Sequence, residues 1–107
     1  MSFYIKKNDT SPAFQAILKD GAGDPINLDG ATVRFHMKTI SGTTSVVDAS
    51  ASIITASSGV VRYNWDALDT ANAGSYQAEF EVTYPDAAVE TFPNDGYIRV
   101  EIISDIA

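Results

Sequence analysis

Between residues 74 and 84 (GSYQAEFEVTY) every second side chain is apolar or aromatic: Tyr76, Ala78, Phe80, Val82 and Tyr84. Gln77, Glu79, Glu81 and Thr83 lie between them. Successive side chains of a strand point to opposite faces, so this run places one face in a core and the other in water. A helix would scatter the same residues around its axis, and the period decides for a strand. The approach to it, residues 69–74 (DTANAG), is small, polar and turn-rich. A tyrosine entering a central strand two positions after such a glycine has the pattern of a tyrosine corner, with the hydroxyl bonded to backbone a few residues upstream. A plain core tyrosine fits the stretch equally well. Both readings make this the central strand of an antiparallel β-sandwich.

The rest of the chain can be arranged around that strand. Residues 3–6 (FYIK) read as a short first strand, ended by the turn formers of 8–12. Residues 13–19 follow, with Phe14, Ala16 and Leu18 inward, and then a Gly- and Pro-containing connection at 20–25. Residues 26–28 re-pair briefly. The next clear strand, 31–38, turns Ala31, Val33, Phe35 and Met37 one way and Thr32, Arg34, His36 and Lys38 the other. Residues 39–58 are rich in Ser, Thr and Ala, broken by Val46-Val47 and Ile53-Ile54. They read as two short weak strands, or a loop and a strand. Residues 59–65 place Val61, Tyr63 and Trp65 on one face, and a helical turn follows at 66–68. A hairpin at 85–87 leads into 88–92, and a turn at 93–96 into a last strand at 97–103, with Ile98, Val100 and Ile102 inward. Seven to nine short strands at such spacing, with no convincing helix, predict an all-β sandwich.

At 107 residues this is expected to be one domain, 1–107, able to bury roughly 65% of its unfolded surface. It has no cysteine, which rules out disulfides and thiolate metal sites and fits a reducing cytosolic origin. The N-terminal residues lack the apolar run of a signal peptide, and no stretch reaches the length of a membrane span. The net charge of −7 and the scattered Lys and Arg residues leave no basic patch for nucleic acid.

Several fragments together carry a resemblance. They are Asp9-Thr10-Ser11-Pro12, residues 28–37 (LDGATVRFHM), Asp69-Thr70, residues 74–82, Thr91-Phe92-Pro93 and Tyr97-Ile98-Arg99-Val100. In this order they resemble the N-terminal domain of phage baseplate upper proteins, the BppU-type family, over roughly residues 4–102. The resemblance implies an immunoglobulin-like virion component that docks onto other phage structural proteins in a symmetric, multi-copy assembly, with no catalysis and no cofactor. Members of that family commonly continue into a linker and further modules. A chain ending at Ala107 is therefore expected to be a small accessory subunit of the baseplate, tail, neck or head periphery.

Candidate sites divide between structural and functional readings. His36, the single histidine, is expected on an outward strand face in a cross-strand pair, without the partners a metal or a general base would need. Glu79 and Glu81 share an open face, so they are expected to pair with Arg34, Lys38 or Arg99 and not to act as a glycosidase pair across a cleft. Asp20, Asp24, Asp29 and Asp95 are read as turn residues, because they lack the spacing of a calcium loop. Tyr4, Tyr63, Trp65, Tyr84 and Tyr97 could form a sugar-stacking platform if exposed in a row, but Trp65 is expected inside. A carbohydrate-binding adhesin or host-recognition module is the alternative function. Two docking surfaces are expected. One is the first strand with Phe3, Tyr4 and Ile5, extended by Ile103 and Ile106. The other is the segment 39–58 with Ile53 and Ile54, expected to be loosely held until assembly.

Overall fold

The computed structural model describes residues 2–43 and 45–106, so Met1, Thr44 and Ala107 lie outside the described residues. Among the described residues eight strands follow one another: β1 (Ser2–Lys6), β2 (Phe14–Ile17), β3 (Thr32–Thr39), β4 (Ser45–Thr55), β5 (Val60–Tyr63), β6 (Gly74–Thr83), β7 (Val89–Phe92) and β8 (Ile98–Ile103). Two 3₁₀ turns, Ala56–Ser58 and Ala67–Thr70, flank β5, the second at the helical turn expected from Asp66-Ala67-Leu68. The strand order is β1-β8-β6-β3-β4-β5-β2, with β7 also paired to β6. The architecture is the expected all-β, sandwich-like one, curled far enough to approach a barrel.

β6 is central, as its alternation requires. It pairs antiparallel with β3 along its length, and on its other side with β8 through its first half and β7 through its second. Phe80 lies opposite Phe35 on β3 and Phe92 on β7, and all three are buried. The inward sets Phe14–Ala16–Leu18, Val33–Phe35–Met37, Val61–Tyr63–Trp65 and Ile98–Val100–Ile102 all lie in one core. Its centre is aromatic. Phe35 stacks on Tyr63 at 4.5 Å between ring centroids and meets Trp65 edge-on at 5.6 Å and Phe80 at 5.1 Å. Edge-on and tilted contacts of this kind add to the free energy of simple area burial.

The corner before β6 is a tyrosine corner. Tyr76 is buried, and its hydroxyl donates to the carbonyl oxygen of Asn72 at 2.6 Å. Burial raises the pKa of this phenol above its ordinary value. Upstream, Asp66 and Asp69 form a reciprocal capping box on the second 3₁₀ turn, and Asp69 also accepts from the Tyr63 hydroxyl. The buried Thr70 then donates to the Asp9 carbonyl at 2.8 Å while its own carbonyl accepts from the Asn8 amide at 2.9 Å. The β5–β6 corner is thus tied to the end of β1.

Two expectations need correction. The segment 39–58 does not hold two short weak strands. Of the two readings, a loop and a strand is the one found, with a turn at 40–41 followed by β4, which at 11 residues is the longest strand among the described residues. Residues 45–51 of β4 pair with β3, and residues 52–55 pair with β5 across a register shift. One strand therefore carries the chain from one sheet to the other. Its inward positions are Val47, Ala49, Ala51 and Ile53, small enough to weaken the hydrophobic signal without breaking the period of two. The sandwich is also not purely antiparallel, because β1 runs parallel to β8 in register Ser2↔Arg99 through Lys6↔Ile103.

Candidate functional site

The residues expected at docking surfaces separate by strand face. On β1, Phe3 and Ile5 point inward. Ile5 is buried, and Phe3 is half-buried against Phe14 and Trp65. Ile5 is therefore core, and Tyr4, 65% exposed, is the residue β1 offers to solvent. On β4 the same alternation half-buries Ile53 against the core and leaves Ile54 exposed. Register places Lys6 beside Ile103 of β8, and Ile103 and Ile106 are both exposed.

β1 and β2 end the strand order, each with one hydrogen-bonded neighbour among the described residues. The Lys7 amide donates to Ile103 across the β1–β8 pair. Alternate residues of a parallel strand turn their amides to opposite sides, so Tyr4 presents its backbone to the open side. A dent of about 230 Å³ lies beside it, lined by Tyr4, Ile5, Lys6, Pro12 and Ile103 among others.

A second concavity, a groove of about 410 Å³, crosses the outward face of the larger sheet. Its floor is the β3–β6 ladder, where Lys38 faces Gln77 and His36 faces Glu79. The connection entering β8 forms one wall with Gly96 and Tyr97. Ion pairing here differs from expectation. Arg34 turns to Asp48 on β4 at 2.9 Å, and Arg99 turns to Glu101 on its own strand, so neither neutralises Glu79 or Glu81. His36 is half-buried between carboxylates, with Nδ1 3.4 Å from Asp48 and Nε2 3.7 Å from Glu81. The sequence could not show this, because the aspartate sits in the segment read as weak. Glu101 also accepts from the Ser75 hydroxyl at 2.7 Å, and that bond, followed by Arg99, holds its carboxyl below the usual range.

The remaining candidates fall into place around these surfaces. Tyr63 and Trp65 are in the core, Tyr84 donates to Glu90 and has its phenol pushed up to about 12 by burial and then that carboxylate, and Tyr4 and Tyr97 are exposed. Asp20 accepts from the Ala22 and Asp24 amides, the work of a turn residue. Among the described residues no group of three or more His, Cys, Asp or Glu side chains is placed to hold a metal ion. No helix among them is long and apolar enough to cross a membrane.

No curated protein matches the chain. The sequence model of the family described as the BppU N-terminal domain matches residues 3–92, from β1 through β7. With its tyrosine corner, its central β6 and this match over most of its length, the chain belongs to the BppU N-terminal domain family of phage baseplate-related structural proteins.

Proposed function

We propose that this chain is a non-enzymatic structural module of a tailed-phage virion, assembled in the host cytoplasm, that works by docking on other phage structural proteins in a symmetric, multi-copy particle. The observation that carries the reading is the family match over residues 3–92, which makes a baseplate-related structural role the starting point. The β1–β8 edge supports it. An exposed strand edge bearing Tyr4, with the exposed Ile103 on the neighbouring strand, is a surface that isolated sandwiches usually blunt. A partner strand laid on β1 would gain backbone hydrogen bonds, and the dent beside Tyr4 would receive one of its side chains.

The test is incorporation into particles when the phage's own copy is replaced by variants. Removing the whole first strand would also remove Ile5 from the core, so point changes on its outward face are the informative ones. Tyr4→Ser combined with Ile103→Ser is expected to leave the fold intact and abolish incorporation. Ile54→Ser, on the other candidate surface, is expected to incorporate normally. A folded Tyr4/Ile103 double variant that still enters particles at the normal level would remove this edge as the docking site.

A further inference from the structure

The groove over β3 and β6 is unused by the docking edge, and we infer that it is a binding site for a neutral saccharide, one or two rings long. At about 410 Å³ it falls at the small end of the range of ligand sites, roughly 300–1,000 Å³. Its floor is a grid of hydrogen-bonding side chains. Gln77, Glu79 and Glu81 follow one another along β6 at about 7 Å intervals, and Lys38 and His36 lie across from the first two at about 5 Å.

Two of these groups are unspent. Neither Glu79 nor Lys38 forms an ion pair among the described residues, although both are only partly exposed. The arginine facing Glu81 in register, Arg34, is committed to Asp48, and Arg99 is committed to Glu101. The Gln77 amide nitrogen donates to the Thr39 and Ile40 carbonyls, so the groove keeps one donor, the Lys38 ammonium, beside acceptors: the Gln77 amide oxygen and the Glu79 and Glu81 carboxylates. One cation and two carboxylates leave the groove with an excess of negative charge. That excess disfavours a phosphate, which the carboxylates repel, and leaves a site with more acceptors than donors. An array of hydroxyls, each both donor and acceptor, matches it.

Tyr97 supplies the remaining element. It lines the groove wall and is 45% exposed, whereas the other large aromatics at the centre of the sandwich are buried. A sugar ring has a C–H face as well as hydroxyl edges, so a tyrosine ring at the side of a polar floor can cover the one while the floor bonds the other. This site shares no residue with the β1 edge, and its test is independent of particle assembly.

The experiment is a titration of the isotopically labelled chain, followed by amide NMR, with glucose, galactose, N-acetylglucosamine and cellobiose, and with free arginine as a cationic probe. At least one sugar is expected to give saturable shifts at Lys38, Gln77, Glu79 and Tyr97 with a dissociation constant in the millimolar range. Tyr97→Ala and Gln77→Ala should each weaken it about tenfold, Tyr97→Phe should retain it, and Tyr4→Ser should leave it unchanged. Absence of saturable shifts with every sugar would overturn the assignment. So would shifts that persist in Tyr97→Ala, or binding of arginine alone, which would make the groove a seat for a partner's cationic side chain.

Discussion

The rings of Phe3 and Phe14 lie 4.8 Å apart between centroids, although their strands stand at opposite ends of the strand order and share no ladder. This contact brings the two ends of the curled sheet together. Phe3 also stacks on Trp65 at 5.8 Å, so it connects β1 both to the facing edge and to the aromatic centre.

Phe3→Ala should therefore loosen the edge more than its partial burial alone suggests. A fully buried phenylalanine costs about 3–5 kcal/mol when truncated, and a half-buried one is expected to cost about 2. Urea denaturation measures the total. Hydrogen exchange at the Lys7 amide, which donates to Ile103, reports whether β1 opens first. Tyr4→Ala, on the opposite face of the same strand, should change stability by less than about 0.5 kcal/mol.

Tyr76→Phe isolates the corner bond. The ring stays in the core and only the hydroxyl that donates to the Asn72 carbonyl is lost. A cost of about 1 kcal/mol is expected from the chemical midpoint, with an unchanged denaturant slope. A loss under a few tenths would mean that water restores the bond, leaving Tyr76 significant for its ring alone.

Gly59 closes the 3₁₀ turn before β5 with φ +66°, and a Cβ there would sit 2.7 Å from the Leu18 carbonyl oxygen. That oxygen already accepts from the Ile26 amide. Gly59→Ala combines backbone strain with displacement of a bonded carbonyl, so a cost of about 2 kcal/mol or more is expected. Gly21→Ala is the control, since nothing lies within 4 Å of the added carbon; thermal melts of the pair should separate clearly.

What the sequence made legible follows from side-chain size. Strands β3, β5, β6 and β8 announce themselves because Phe, Tyr, Val and Ile alternate with polar residues, and one buried face forces that period. β4 keeps the same period with alanine at two of its inward positions, and alanine says little about burial. Its exposed side carries Asp48, so reading the segment as weak, without placing its faces, also hid the partner of Arg34 and His36. Likewise, Phe3 and Ile5 resembled a sticky edge while β1 was taken alone. Only the parallel pairing with β8 shows that they face inward. The groove needed three separate elements in place, and no single stretch encodes it.

Acid should weaken the fold partly through Glu101. Its carboxylate accepts from the Ser75 hydroxyl and from Arg99, and these bonds depress its pKa from the ordinary 4.5. In the unfolded chain both partners are gone and the ordinary value returns. A depressed folded pKa means that the unfolded state binds the proton more readily, so stability rises with pH through the interval between the two values. The contribution is complete above the unfolded value and is lost as pH falls through the lower, folded one. Glu101→Gln removes the charge while keeping the shape. The variant should melt below the parent at pH 7, and the gap should narrow as pH is lowered beneath 4.5. Because Arg99 and Glu101 lie on an open sheet face, high salt should shrink the neutral-pH gap as well. Melting curves across pH at two ionic strengths check both, and a gap that widened on acidification would contradict the assignment of Ser75 and Arg99 as the groups stabilising the charged carboxylate.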